Sequence, residues 1–319
     1  MKCLPLAAAA LLSVAGPVHA QSFIVVGDLP YNSAQDEAFQ ETIAPAITAA
    51  DIPFVIHVGD IKGSKEICSD GLLTARRDAI YALKPGRVFY TPGDNEWTDC
   101  DRDSSGIAMR EYDRLDRLRQ LFFEPPPEAP NELDVVRQGG YPENARWRHD
   151  DVIFVTLHVV GTNNGRKQIL LDDVQEALAR VEARDTANAQ WLEAAVSYAQ
   201  ETGAAALVVA AQADLTEPWG RGRCSVQNPQ ECDAFADLRE RLRQAAARFG
   251  KPMLYIHGDT DPYCLDAGFG GEKATNLWRL NAAGDYAVID AVTVTVSPQE
   301  AMPFKAVTLL GGLSPTTGC

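Results

Sequence analysis

The sequence predicts an α/β fold built from parallel βαβ units, and two observations carry that expectation. Apolar runs of strand length alternate with amphipathic helical stretches, and three successive runs end at a Gly-Asp pair: Gly27-Asp28, Gly59-Asp60 and Gly93-Asp94. Strands joined by helical crossovers run parallel, so their carboxyl ends share one edge, where open α/β sheets place their ligands.

In chain order, Ser22 to Gly27 reads as a strand, followed by Asp28 and a Pro-Tyr-Asn turn. Ala34 to Ala50 has helical periodicity. Pro53 to Val58 is a second strand, Leu72 to Leu83 a helix, and Arg87 to Thr91 a third strand leading into Pro92-Gly93-Asp94. Gly106 to Phe123 is an amphipathic helix that stops at Pro125-Pro126-Pro127. Residues 128–148 read as an irregular cap or long loop. Val152 to Val160 is a strand closed by Gly161-Thr162-Asn163-Asn164, and two helices are expected within Leu171 to Gln200. Ala204 to Ala211 is a strand ending at Gln212-Ala213-Asp214, Cys232 to Phe249 a helix, and Pro252 to His257 a strand ending in Gly258-Asp259-Thr260-Asp261. From Leu277 to Leu310 β-runs such as Tyr286 to Val296 follow without helices between them, which predicts antiparallel strands packed on the first half.

The first twenty residues follow another pattern. Lys2 precedes an apolar stretch from Leu4 to Ala15, and Val18-His19-Ala20 is a small-x-small cleavage site. This is a secretory signal peptide, residues 1–20, too short to span a membrane, with cleavage before Gln21. Residues 21–319 then form a single domain, exported to the periplasm or secreted, with no membrane anchor. Loss of Lys2 takes the net charge from −15 to −16, which disfavours nucleic-acid or anionic-membrane binding through a basic surface. Six cysteines remain, an even count that favours disulfides in an exported chain, although six allow 15 pairings. Cys224 and Cys232 would close a short loop, and Cys68 with Cys100 would tie together the loops after two strands.

The ordered set of strand-end groups is Asp28, Asp60, Asp94-Asn95-Glu96, Gln212 and Asp259-Thr260-Asp261. Carboxylates about 4 Å apart repel by roughly 1 kcal/mol per pair in water and several times more in a drier site. Acids that converge therefore call for cations, and Asp, Asn and Gln oxygens suit hard divalent ions. Taken singly, each Gly-Asp is also an ordinary turn.

In order and spacing this series resembles the calcineurin-like metallophosphoesterase superfamily, with its motifs D-x-H, G-D, G-N-H-[DE], a lone His and G-H-x-H. The resemblance runs from about residue 22 to about residue 310, and Gln190-Trp191-Leu192 fits the helix found between the third and fourth motifs. It implies a four-layer α/β/β/α sandwich and metal-dependent hydrolysis of a small phosphorylated substrate. Candidate metal ligands are Asp28, Asp60, Asp94, Gln212, Asp259 and Asp261, around one or two divalent ions. The departures are large. Pro30 replaces the first-motif His, Asp94 the ligand Asn, Asn95 the catalytic His, Gln212 the lone His, and Asp259 and Asp261 the last pair.

Oxygen groups in place of imidazoles favour Mn, Mg or Ca over zinc or iron. Asn95 cannot supply the proton that the family His gives the leaving group, a service typically worth roughly 10²- to 10⁴-fold. His257 shares the strand phase of Asp259 and is the nearest substitute acid. His57, His158 and Trp97 read as core residues, Glu96 as a group that orients its neighbours or a loop acid, and Asn163-Asn164 as turn residues. Arg221 and Arg223 are a candidate phosphate clamp or a solvated loop. A non-catalytic binding module on the same fold is the competing function.

Overall fold

The computed structural model describes residues 20–319, so the signal-peptide reading of residues 1–20 lies outside the described residues except for Ala20. The first half contains β1 (Gln21–Val26), β2 (Val55–His57), β3 (Val88–Tyr90), β4 (Val136–Gln138), β5 (Tyr141–His149) and β6 (Val152–Thr156). The second contains β7 (Ala206–Ala210), β8 (Met253–His257), β9 (Cys264–Asp266), β10 (Leu277–Asn281), β11 (Val292–Val296), β12 (Phe304–Thr308) and β13 (Thr316–Thr317). They form two sheets, of order β12-β11-β1-β2-β3 and β13-β9-β10-β8-β7-β6-β5-β4. Strands β1, β2 and β3 are parallel neighbours in the first sheet, as are β6, β7, β8 and β10 in the second.

Strand alternation builds the layers. Phe23 and Val25 of β1 face inward with Phe54, Ile56, Trp147, Phe154, Leu254 and Ile256, filling the space between the sheets. Phe89 of β3 stacks on Trp147 of β5 across that space, ring centroids 3.6 Å apart. Ile24 and Val26 face outward against Phe39, Ile43, Leu73, Ile80 and Leu118, which belong to the helical segments of that face. On the opposite side Leu207, Val209 and Met253 pack under Leu192, Val196, Leu242 and Ala246. Each fully buried apolar side chain contributes about 1.5–3 kcal/mol relative to exposure. The result is the four-layer α/β/β/α sandwich.

The helices follow their sequence signals, with differences at particular places. Asn32 caps Ser33–Ala38 by accepting from the Gln35 N–H. The helix widens to a π turn at Phe39–Ile43 and resumes at Ala44–Ala49, because Pro45 lacks the N–H an α-helix would direct at Glu41. Asp70–Ala82, Glu111–Phe123 and Ala236–Phe249 match expectation within a few residues. A single helix, Val174–Glu201, replaces the two expected there: Asp173 caps it and neither Gly nor Pro interrupts its Ala-rich interior. The segment read as irregular contains the β4–β5 hairpin, whose β5 buries Glu143, Ala145 and Trp147 on alternate positions. Tyr286 to Ala291 is not strand; only Val292–Val296 is. The antiparallel strands β11 and β12 do join the first sheet, whereas β10 runs parallel beside β8.

Disulfides join Cys68 to Cys100, Cys224 to Cys232 and Cys264 to Cys319, which fits an oxidising compartment. Among the described residues no helix is long and apolar enough to cross a membrane.

Candidate functional site

The carboxyl ends of β1, β2 and β3 in one sheet and of β6, β7 and β8 in the other open onto a common rim. Each chain segment turns sharply there. Asp28, Asp60 and Asp259 follow their strands with φ of 53°, 55° and 75°, in the left-handed region that non-glycine residues rarely adopt. Three such residues at one rim mark a place where backbone strain is held by its surroundings. Two glycines make the approach of the acids possible. A β-carbon on Gly93 would lie 1.9 Å from Asp60 Oδ1, and one on Gly258 would lie 1.7 Å from Asp28 Oδ2.

These turns bring Asp28, Asp60, Asp94, Gln212 and Asp259 together. Gln212 Nε2, on a side chain with no exposed surface, donates to Asp60 Oδ2 at 3.3 Å, Asp94 Oδ1 at 3.2 Å and Asp259 Oδ1 at 3.1 Å. Asp28 is tied to the group by the Asp259 N–H, 2.8 Å from its Oδ1. Asn95 donates to Asp60 twice, from its backbone N to Oδ1 at 3.2 Å and from Nδ2 to Oδ2 at 3.1 Å. The carboxylates are buried or nearly so, and the electrostatic consequence is direct. Burial, opposed by the Asp259 N–H and the Tyr31 hydroxyl, leaves Asp28 pushed up to about 7. Burial and the charges of Asp94 and Glu96 raise Asp60 well above the carboxylate range. Burial and the charges of Asp94 and Asp28 do the same to Asp259.

Two candidate residues are placed elsewhere. Asp261 is exposed at the rim and makes no hydrogen bond to the four aspartates. His257 has no exposed surface; its Nδ1 bonds the Gly258 carbonyl at 2.7 Å, and its ring stacks on Tyr255. Burial lowers it to about 4, so it is neutral at physiological pH. The shared strand phase with Asp259 fails because Asp259, at positive φ, has already left the strand. His57 is likewise buried and lowered to about 3 by burial. His158 pairs with Glu143 in the interior, and Trp97 is core, its ring beside Tyr112 and His158. Arg223 is exposed and paired with Asp237.

Tyr31, Thr162, Lys62 and Asp214 have no site role assigned by the sequence, whereas Asn163, Asn164 and Glu96 do have readings to compare. Tyr31 donates its hydroxyl to both Asp28 and Asp60. Thr162, at φ 51° in the left-handed turn Gly161–Gly165, donates to Asp94 Oδ2 at 2.6 Å. Asn163 and Asn164, also left-handed, bond protein groups instead: Asn163 the carbonyls of Gln230 and Cys232, Asn164 the Asp185 carboxylate. Lys62 is fully buried behind Glu96, Asp99 and Asp60, its Nζ donating to the Gly63 and Glu66 carbonyls. Asp214 supports Asp259 through its backbone N–H and is itself held by Arg279 at 2.7 Å. Glu96 orients the loop: its Oε1 accepts from Tyr90, Gly93 and Ile61.

The donor set consists of oxygens only, the chemistry that suits a hard divalent cation. Among the described residues, however, no group of three His, Cys, Asp or Glu side chains is arranged to hold a metal ion. The point that Asp60, Asp94 and Asp259 surround is taken by Gln212 Nε2. The residues thus fit an ion by chemistry and number, while the position itself is filled by an amide.

No protein-family model and no curated protein matches the sequence. Among solved structures, that of PhoD aligns with a TM-score of 0.54 and 13% identity, covering 92% of this chain and 66% of that one. GAP50, the anchor in the inner membrane complex of Plasmodium, aligns at a TM-score of 0.44 and 11% identity, covering 92% and 86%. The Haemophilus influenzae NAD nucleotidase NadN aligns at 0.40 and 11%, covering 91% and 49%. The chain therefore spans just under two thirds of the PhoD structure. Two stacked sheets flanked by helices, aligned with PhoD along most of the chain, constitute the calcineurin-like phosphoesterase fold.

Proposed function

We propose that the protein is an exported hydrolase of phosphate esters that works with divalent cations at the rim formed by Asp28, Asp60, Asp94 and Asp259. The observation that carries this reading is the convergence of acids from four strand ends of two sheets on one buried point. Four mutually repelling carboxyl groups are a poor structural device, and their natural counterpart is a hard ion such as Mn²⁺, Mg²⁺ or Ca²⁺. Such an ion, when bound, supplies positive charge for phosphate oxygens and lowers the pKa of water. Asp28, Asp60, Asp94 and Asp259 would hold it; Asp261, exposed beside them, lies outside this set.

The remaining residues position these acids. Asn95 fixes both oxygens of Asp60, Thr162 fixes Asp94, and Asp214 with Arg279 fixes the Asp259 turn. Asn95 donates hydrogen bonds but has no proton to give, and His257 faces the interior. A leaving group therefore departs without a strong general acid, so esters with good leaving groups should react fastest. The disulfides support the exported location, and residues 21–319 would act as a single domain.

A second reading, a non-catalytic binding module, is favoured by the amide nitrogen at the focus of the acids and by the absence of every family histidine from the rim. Metal content of the purified mature protein, followed by hydrolysis of an activated aryl phosphodiester with Mn²⁺ or Mg²⁺, separates the two. Bound ion with turnover that Asp60→Asn abolishes supports the hydrolase. Bound ion without turnover on mono-, di- and pyrophosphate esters replaces it with the binding module.

A further inference from the structure

We infer that the Gln212 carboxamide is a built-in occupant of the cation position, and that a divalent ion binds only when this side chain swings away. The inference rests on the cation-dependent reading of the site and changes the role of Gln212 within it, from ligand to competitor.

The orientation of the amide is determined by its surroundings. Gln212 Oε1 accepts from the Gly161 N–H at 2.6 Å, which leaves Nε2 facing the carboxylates of Asp60, Asp94 and Asp259. The flipped amide would set its carbonyl oxygen among three acids and its NH2 group against an N–H donor, losing every one of these bonds. As oriented, the nitrogen offers two hydrogens to three acceptors and no lone pair to a metal. It is therefore not a ligand.

Its location is what a cation needs. The three oxygens stand 3.1 to 3.3 Å from Nε2, whereas Mg²⁺ or Ca²⁺ would draw them in to about 2.0–2.6 Å. Nitrogen and ion cannot occupy the same point. The side chain has no exposed surface, so its displacement also breaks the Gly161 bond. The glycine matters here, because a β-carbon at Gly161 would lie 2.6 Å from both Asp94 Oδ2 and Asp259 Oδ1. The amide thus keeps the acids assembled in the ion-free protein and sets a threshold that a cation must exceed.

The test is Mn²⁺ binding to chelator-stripped protein, read by the electron paramagnetic resonance signal of free Mn²⁺, for wild type, Gln212→Leu and Gln212→Asn. Leucine fills similar volume and neither donates nor ligates; asparagine withdraws the amide by one methylene. The expected result is Mn²⁺ affinity at least tenfold tighter in Gln212→Leu than in wild type, with Gln212→Asn between them. Equal or weaker binding in Gln212→Leu overturns the inference, and if wild type still binds Mn²⁺ it leaves the cation-dependent reading intact. Failure of every form to bind at millimolar Mn²⁺ overturns both. Should Gln212→Leu not fold, the wild-type side-chain amide resonances decide: saturating Mg²⁺ is expected to shift the Gln212 NH2 pair and speed its exchange with solvent, and an unchanged pair overturns the inference.

Discussion

The Tyr31 hydroxyl lies 2.8 Å from Asp60 Oδ2 and also reaches Asp28 Oδ1 at 3.1 Å, so one phenol bridges acids that stand 32 residues apart in sequence. Burial, with Asp28 and Asp60 alongside, raises this phenol well above its ordinary range, which keeps it a neutral donor. Its ring packs on the exposed Tyr286 at 5.4 Å. Tyr31→Phe preserves that packing and removes only the donor. Two buried acceptors then lose a partner, at about 1–3 kcal/mol. The melting temperature of the ion-free variant should fall, and addition of Mn²⁺ should recover more of the loss than it adds to wild type. An unchanged melting temperature would show that the bridge does not hold the acids.

Gly93 is the point where the third strand's loop passes over Asp60. A β-carbon there would meet Asp60 Oδ1 at 1.9 Å and the Asp60 backbone N at 2.5 Å, and a backbone atom cannot rotate aside. Gly93→Ala should therefore destabilise the protein by about 1–3 kcal/mol or more and weaken Mn²⁺ binding with it. Chemical denaturation and an ion titration check both effects. Wild-type stability in Gly93→Ala would mean that the loop shifts freely and that Asp60 is not confined.

The main features of this site were legible in the sequence because topology does the work. Parallel strands put their carboxyl ends together, so marking the residue after each strand located Asp28, Asp60, Asp94, Gln212 and Asp259 without knowing any distance. His257 is expected from strand alternation across Gly258, and alternation ends where Asp259 enters the left-handed region; Asp261 is expected only from the motif resemblance, which does not specify where that turn points the side chain. Tyr31, Lys62 and Asp214 sit within three residues of Asp28, Asp60 and Gln212, yet their spacing assigns them no role. The roles of Tyr31 and Asp214 depend on turn geometry and partners that spacing does not reveal. The β4–β5 hairpin is not legible in the sequence for a related reason: Glu143 and Asn144 are buried polar residues whose partners, Arg119, His158 and Asn188, are distant in sequence.

The Cys68–Cys100 bond anchors the loop that carries Asn95 and Glu96, since Cys100 also contacts the Glu96 carbonyl at 3.2 Å. Closing a loop of 32 residues removes unfolded-state entropy worth about 3–4 kcal/mol in the chain-entropy picture. The double variant Cys68→Ser with Cys100→Ser should lose stability of that order. It should also bind Mn²⁺ more weakly, because Asn95 no longer fixes Asp60. The Cys224→Ser with Cys232→Ser variant, which opens a loop of only 8 residues, should lose less stability. Equal losses in the two variants would contradict the anchoring role.

Glu111 permits a pH test independent of any ion. It is fully buried at the first turn of the helix Glu111–Phe123, with Asp101 and Asp172 nearby, and among the described residues no cation pairs with it. Burial, together with those charges, pushes it up to about 10 from an ordinary value of 4.5. The folded protein therefore holds a proton here that the unfolded chain releases above 4.5. The stability this proton contributes is complete below 4.5 and is lost as pH rises toward 10. Gln at this position keeps the shape and cannot ionise. Glu111→Gln should melt close to wild type at pH 5 and several degrees above it at pH 9, at roughly 2–4 °C per kcal/mol. Asp28, Asp60 and Asp259 titrate in the same sense but are common to both proteins, so the difference between the two melting curves reports Glu111 together with Asp101, to which it is hydrogen-bonded. A gap that does not widen between pH 5 and pH 9 would mean that the Glu111 carboxyl is ionised in the native state.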